Sequence, residues 1–521
     1  MPMTGADYRE SLRRYKPRVW VDGQGIESVA DAPQLRPGIN AIGVTYDFAL
    51  REELAPLMLA VQRSSGKTVN RMLHIDGSSA DLLNKLEAVR VLCQETGCAQ
   101  RYLAHDAFSA IAQATARVDA DKGTRYGERF TAYLHDFQDR DLSVGIAMTD
   151  AKGDRSKRPH EQAHIDSYVH IVERSGLGLV ISGTKAIVTG APYMHEFLVM
   201  PCRNMSEAEA EFAVCCAVPC DADGLTIVAR PAGRPGEKAA LFSNRYGQST
   251  GVVVFDRVFV PWERVFLAGE WEHSAQLTYD YATHHRHTCI AARAGFGDLL
   301  IGAGALMCEA NGFDPGAETH LREQMVQLIT IVEGFYACGV AASVYASEDA
   351  ASGVVMPDPV FSNIGKLLLA NQIYEMQRIA HYVSGGLIVT LPGPDEDHNP
   401  ATAAKLADVL RANPDVPYDK RIQAARFIED LTASYQGGWY SVISLHGGGS
   451  PAAMKQEIWR NYPVGNKVEL VERLLHRGLL NDASRPITAN RQPGRCCDTG
   501  CTTPTSTTMV ALPASRREDQ P

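Results

Sequence analysis

The chain has no run of 18 apolar residues that would read as a membrane span. It has no basic excess either. Its 51 Lys and Arg stand against 61 Asp and Glu, a formal net charge of −10, so no cationic footprint points to nucleic acid. The opening Met1-Pro2-Met3-Thr4-Gly5 carries neither a basic start nor an apolar stretch, so no signal peptide is expected and the location expected is cytoplasmic. There is no Gly-x-x-x-x-Gly-Lys-Ser/Thr loop, which excludes a P-loop phosphate site. There is no Gly-x-Gly-x-x-Gly between a strand and a helix, which excludes a Rossmann turn. The nearest approach, Gly295-Phe296-Gly297, sits in a helical run and reads as packing. No internal repeat is present. The 12 cysteines, with no secretory start, read as free thiols in a reducing compartment. Cys215-Cys216 lies in an apolar run and reads as a pair of small core hydrophobes. Cys496, Cys497 and Cys501 form one short cluster without a second pair, which argues against a zinc site.

What the chain does contain is ordered in blocks. Thr4 to Asp7 fits a helix-start pattern, with a short helix to about Arg14. Residues 15–40 read as turn-rich. From about Ala41 to Arg140 the pattern is helical, with Leu82, Leu83, Leu86, Val89, Leu92 and Cys93 on one face and Gly97 as the stop. From about Gly176 to Pro261 five short β-rich runs follow, bounded by Gly, Pro and Asp, which suggests a small barrel or sandwich. From about Tyr279 to Leu480 the chain is helical again. There Leu321, Met325, Leu328, Val332 and Phe335 step by four and three, the seam of a bundle helix. The tail beyond Asp482 is rich in Thr, Ser, Pro and Arg and is expected to be disordered.

The seam between the first helical block and the strands is Ala147-Met148-Thr149-Asp150-Ala151-Lys152-Gly153-Asp154-Arg155. This stretch resembles the corresponding loop of the flavoprotein family that holds 4-hydroxyphenylacetate 3-monooxygenase and 4-hydroxybutyryl-CoA dehydratase. Thr4 to Leu12, Arg36 to Ala49, Gly66 to Arg71, Cys220 to Leu225, Val260 to Phe266 and Leu445 to Pro451 echo it too, so the likeness spans roughly residues 3 to 480. The resemblance implies an α+β, acyl-CoA dehydrogenase-like fold. An N-terminal helical domain would occupy 1–145, a β-barrel 146–272, a helix bundle of four-helix type 273–482 and a tail 483–521. It also implies FAD, used as FADH2, with contacts from Thr149, Lys152, Asp154, Arg155, Thr189, Ser450, Pro451, Ala452 and Ala453. Cations beside a pyrophosphate suit that role, because charge-assisted bonds to phosphate are strong. Subunit contacts in the family imply a homotetramer.

The dehydratase branch resembles the chain more closely, and its ligands break down here. That branch holds a [4Fe–4S] cluster on three Cys and one His, which fall on Cys98, Tyr102, Ala292 and His285. Cluster binding needs thiolates, and two are missing. The branch's catalytic Glu, Tyr and Lys fall on Ile443, Cys289 and Arg293. The monooxygenase branch needs only reduced flavin and O2, but its substrate-holding Arg and Tyr fall on Leu103 and Ala107, and its flavin-side His on Ile146. The leading expectation is the oxygenase component of a two-component system. It would hydroxylate an aromatic or heteroaromatic small molecule with FADH2 from a separate flavin reductase. His284, His285 and His287 are the candidate acid–base groups, since imidazoles titrate near neutrality. Tyr102, His105, Ile146 and Arg293 are the candidate substrate contacts. No metal is expected, because neighbouring helical positions diverge by about 100° and the histidines cannot all converge. Two other readings stay open: a cluster-free flavin lyase or isomerase acting on a thioester, and a non-catalytic ligand-binding relative.

Overall fold

Helix α1 (Gly5–Leu12) starts where the Thr4 hydroxyl accepts from the Asp7 amide and the Asp7 carboxylate accepts from the Thr4 amide, a reciprocal cap. This computed structural model describes residues 2–234, 236–314 and 316–477. The first block continues with α2 (Arg36–Asp47), α3 (Ala55–Met58), α4 (Ser79–Thr96), α5 (Leu103–Lys122) and α6 (Tyr126–Asp139). Helix α4 buries Leu82, Leu86, Val89, Leu92 and Cys93, and it ends at Gly97 with φ 68°, a left-handed conformation that glycine adopts freely. The block is not purely helical. Strands β1 (Val19–Val21) and β2 (Gln24–Ile26) lie in the stretch read as turns, and β3 (Leu59–Val61) and β4 (Thr68–Asn70) form a hairpin inside the stretch read as helix. Strands of three residues are too short to show an alternating pattern. Pairing holds them: β1 with β2 and with a strand more than 200 residues away, β3 with β4.

Strands β5 (Val144–Ala147) and β6 (His170–Arg174) precede the stretch read as β-rich, whose runs form β7 (Gly178–Thr189), β8 (Glu196–Val199), β9 (Val214–Pro219), β10 (Leu225–Ala229), β11 (Thr250–Pro261) and β12 (Val265–Ala268), with the short helix α7 (Ser243–Tyr246) before β11. Their hydrogen bonds make two sheets, ordered β2-β1-β10-β11-β7-β6 and β12-β9-β8-β5. The expected barrel is therefore two sheets, and the larger one recruits β1 and β2 from the N-terminal block. The reason is pairing: Val19 to Val21 lie parallel to Ile227 to Ala229 and bury Val19 and Val21. Cys215 and Cys216 are buried on β9 as core residues.

The last block is the bundle: α8 (Ser274–Ala310), α9 (Thr319–Val344), the small pair β13 (Ser347–Glu348) and β14 (Val355–Met356), α10 (Pro359–Ser384), α11 (Ala403–Val409), α12 (Tyr418–Thr432), α13 (Tyr435–His446), α14 (Pro451–Asn461) and α15 (Val464–Arg477). Helix α8 is the axis, packed on α4, α5, α9, α10 and α12. A Cβ on Gly295 would lie 2.4 Å from the Arg90 carbonyl oxygen, and one on Gly297 would lie 2.5 Å from Val332, so both glycines serve close helix packing. The α9 seam Leu321, Met325, Leu328, Val332 and Phe335 is buried, while Val326, Ile329, Val340 and Val344 on the same helix are exposed. By length and composition, α8 with its short lead-in and α9 could each cross a membrane. A long apolar helix at the core of a bundle meets the same test, and α8 is largely buried in this way. The tail 483–521, with Cys496, Cys497 and Cys501, lies outside the described residues.

Candidate active site

A small pocket lies where α8 meets the start of α5, the end of β7, α10 and α13. Its wall includes Tyr102, Thr189, His285, Cys289, Arg293 and Lys366, with Cys98, Ala292, Trp439 and Ile443 beside them. On α8, His285, Cys289 and Arg293 follow one another at four-residue steps, so one helix face presents all three. From the candidates named from sequence, the fold brings together His285, Tyr102, Arg293 and Thr189.

His285 is held from both sides. Its Nδ1 lies 3.0 Å from Asp106 Oδ2, and its Nε2 lies 3.5 Å from Cys289 Sγ. The Tyr281 ring stacks on it, with centroids 5.4 Å apart. Asp106 is buried on α5 and also accepts from the Thr288 hydroxyl at 2.6 Å. Burial opposes a charge on His285, yet the neighbouring Cys289 sulfur and the Asp106 carboxylate raise its pKa to about 10. In the same way burial opposes ionisation of Cys289, but the imidazolium beside it lowers the thiol. Asp106 is held below the usual carboxylate range by His285 and Lys85 against its own burial. Cys289 and Asp106 were not singled out as functional from the sequence. The four-residue step from His285 to Cys289 was the available signal for the first, while Asp106 lies 179 residues from its partner.

Two buried cations complete the wall. Lys366 donates to the Ser444 carbonyl at 2.5 Å, and burial lowers its pKa to about 8. Arg293 is 4% exposed, and its Nη1 has no hydrogen-bond partner. Among the described residues neither cation forms an ion pair with a carboxylate. A buried guanidinium without an anion is costly, and a ligand anion would relieve it.

The other histidines point elsewhere. His284 Nε2 lies 3.0 Å from Gln113 Oε1, and burial lowers its pKa to about 3. His287 Nε2 lies 2.8 Å from the Ser343 hydroxyl and 3.2 Å from the Gly339 carbonyl, and burial holds it well below its ordinary value. His105 bridges the Arg71 carbonyl at 2.8 Å and Asp76 at 2.9 Å. None of the three lines the pocket. This corrects the sequence assignment of His284 and His287 as acid–base groups and of His105 as a substrate contact. The cause is the helical turn of about 100° per residue, which sends adjacent side chains to different neighbours. Ile146, buried in β5, does not line the pocket either.

The loop of Lys152, Asp154 and Arg155 is exposed except for half-buried Lys152, but its root is fixed. Asp150 pairs with Lys185 on β7 at 2.7 Å, both buried, and the Thr149 carbonyl accepts from the Ala186 amide at 2.8 Å. Thr189, four residues along the same strand from Lys185, reaches the pocket. Asp154 accepts from the Ser156 amide and hydroxyl at 3.0 and 2.7 Å, so its carboxylate shapes the loop. Ser450 caps α14, accepting from the Ala453 amide at 3.3 Å; Pro451, Ala452 and Ala453 form the first turn. The Gly447–Gly449 turn before it lies against the pocket. Gly447 is in the wall, and a Cβ on Gly448 would come within 3.4 Å of the His285 ring. Gly448 and Gly449 have φ 75° and 103°, values that a side chain would strain.

The donor set does not fit an iron–sulfur cluster. Of the four positions only Cys98 and His285 carry suitable donors; Ala292 has none, and the Tyr102 hydroxyl lies 3.2 Å from Cys98 Sγ. A flavin fits better. The pocket has the Thr189 hydroxyl and, on the neighbouring loop, the cations of Lys152 and Arg155, for which no ion pair forms among the described residues.

The fold and this site define an enzyme-like α+β protein with a pocket where the helices meet the end of one strand of the larger sheet. Family models for the N-terminal part of 4-hydroxyphenylacetate 3-hydroxylase match residues 4–267, and for its C-terminal part residues 274–476. The chain belongs to that family. It is 34% identical over 487 residues, 91% of this chain and 99% of the relative, to 4-hydroxybutyryl-CoA dehydratase/vinylacetyl-CoA-Δ-isomerase of Clostridium aminobutyricum. It is 25% identical over 479 residues, 91% of this chain and 97% of the relative, to the 4-hydroxyphenylacetate 3-monooxygenase oxygenase component of Thermus thermophilus. Among solved structures, an oxygen-tolerant archaeal 4-hydroxybutyryl-CoA dehydratase from N. maritimus superposes with a TM-score of 0.87 at 33% identity, covering 94% of this chain and 97% of that one. The oxygenase component of 4-hydroxyphenylacetate 3-monooxygenase, complexed with FAD and 4-hydroxyphenylacetate, superposes with a TM-score of 0.81 at 23% identity, covering 92% and 99%. The greater likeness to the dehydratase agrees with the motifs in the sequence.

Proposed function

We propose that this protein is an FAD-dependent monooxygenase, the oxygenase component of a two-component system, acting on an aromatic or heteroaromatic small molecule. The observation that carries this reading is the pocket wall: two of the four donors of a cluster are missing, and two buried cations and the His285 imidazole face a space with no carboxylate among its lining residues. Such a wall suits a phenolate or another anionic substrate oxygen. FAD, when bound, supplies the redox chemistry. Lys152 and Arg155 would hold its phosphates, and Thr189 and the Ser450 turn its ring side. His285 would hold or move the substrate's proton, and Tyr102 and Arg293 would orient the substrate. Burial of the wall excludes water from the reacting atoms. A separate reductase would supply FADH2.

A second reading is a cluster-free flavin lyase or isomerase acting on an acyl thioester, favoured by the 34% identity to the dehydratase. The exposed Val326, Ile329, Val340 and Val344 of α9 favour self-association, and a homotetramer is part of the proposal. The deciding experiment adds FADH2 anaerobically, then O2, with a panel of phenols on one side and 4-hydroxybutyryl and vinylacetyl thioesters on the other. A hydroxylated phenol supports the oxygenase. Thioester conversion without O2 uptake overturns it.

A further inference from the structure

We propose that Cys289 is a nucleophile that adds reversibly to the β-carbon of an α,β-unsaturated acyl compound bound in this pocket, with His285 as its proton carrier and Asp106 as the positioning residue. The proposal stands apart from the flavin reading, which assigns no role to this sulfur. Its basis is an aligned chain of three groups. Asp106 Oδ2 lies 3.0 Å from His285 Nδ1, and His285 Nε2 lies 3.5 Å from Cys289 Sγ. Asp106 and His285 are buried, and both His285 and Cys289 line the pocket. A thiol 3.5 Å from an imidazole fixed through its other nitrogen by a carboxylate has the arrangement of an activated nucleophile. Independently, Arg293 presents a buried Nη1 with no partner in the same wall, which points to an anionic oxygen on the ligand.

The class of electrophile follows from what the pocket holds. The sulfur lone pair forms a C–S bond at the β-carbon. The C=C pair moves toward the carbonyl, and the charge gathers on its oxygen, where Lys366 and Arg293 offer compensation. The proton on His285 Nε2 then goes to the α-carbon. The sum is addition of S–H across C=C, with no oxidant, reductant or leaving group. The reverse step returns the α-proton to His285 and expels the thiolate. Acyl transfer would instead need a departing group and a second acceptor to free the enzyme. The groups facing Cys289 are Tyr281, His285, Arg286 and Arg293 from its own helix, Lys366 from α10, Cys93 from α4, Tyr102 at the start of α5, and Asp106 from α5 through the imidazole.

Acrylamide is the probe. The purified protein with FAD bound is treated at pH 7 and the adducts are located by peptide mass mapping, with free cysteine as the rate reference. Cys289 should be alkylated first, at least tenfold faster than free cysteine and ahead of Cys98 in the same pocket. His285→Gln should slow the adduct at Cys289 at least tenfold with helicity unchanged. The pH profile of the Cys289 rate should also move to higher pH in that variant, because burial without the imidazolium opposes ionisation of the thiol. Asp106→Asn should give a smaller loss of the same kind, and Cys289→Ser should abolish the adduct. A rate at Cys289 no greater than that of free cysteine would overturn the proposal. A His285→Gln profile with no shift in pH would also overturn it, because a packing role alone would then account for the loss.

Discussion

His285 and His287 stand two residues apart on one helix and have opposite electrostatic surroundings. His285 faces a pocket, a carboxylate and a sulfur, and is pushed up to about 10. His287 faces the bundle interior, a Ser343 hydroxyl and a Gly339 carbonyl, and burial keeps it neutral. His284, on the other side of His285, is pushed down to about 3. Residue type and sequence neighbourhood are the same. What differs is whether an anion lies within hydrogen-bond reach to offset desolvation. One helix face opens on the pocket and the next is packed into the bundle.

Substitution should separate the faces most sharply. His285→Ala should lower product formed per reduced flavin oxidised by about two orders of magnitude, the range of a positioned acid–base group, and leave FAD affinity unchanged. His287→Ala should keep that coupling and instead lower stability by about 2–3 kcal/mol, since it removes a buried hydrogen bond to Ser343 and opens a cavity. Product yield and urea unfolding, measured on both variants, check this. Equal coupling losses would erase the distinction between the faces.

Acid should reveal the interior face next. His284 has a folded pKa below its unfolded value near 6.5, so the unfolded chain takes a proton that the folded chain refuses. Stability then falls as pH drops below about 6.5, by about 1.4 kcal/mol per pH unit for each such group. His285 has the opposite sign. Its raised pKa contributes stability that is full below about 6.5 and fades as pH rises toward about 10. Unfolding free energies from pH 4.5 to 9.5 should show His284→Gln flattening the acid limb and His285→Gln the alkaline one.

The exposed loop offers a comparable but smaller contrast with the pocket wall. Arg155→Ala should weaken FADH2 binding by about 1.5–3 kcal/mol, the scale of a charged hydrogen bond, in an anaerobic titration. Arg293→Ala should raise substrate KM and leave that affinity unchanged. Anaerobic reconstitution with iron and sulfide should leave no four-iron cluster on either variant or on the parent, as read by iron and sulfide analysis, because Tyr102 and Ala292 offer no thiolate.

Much of this was legible in the sequence for identifiable reasons. Helical periodicity placed α4 and the buried seam of α9, since burial of one face repeats every three to four residues. The five β-rich runs became strands because glycine, proline and aspartate punctuate them. The Thr4 cap and the Gly97 stop needed only local geometry. By itself the sequence also determined that no thiolate stands at positions 102 and 292, and that family motifs recur over roughly residues 3 to 480. Tertiary structure alone decided the rest. It joined Val19–Val21 to Leu225–Ala229 across more than 200 residues, brought Asp106 to His285, and turned His284 and His287 away from the pocket. Local sequence sets which groups a helix carries and at what angles. Which of those angles meets a carboxylate, a carbonyl or an open pocket depends on the helices packed around it, and those arrive from distant parts of the chain.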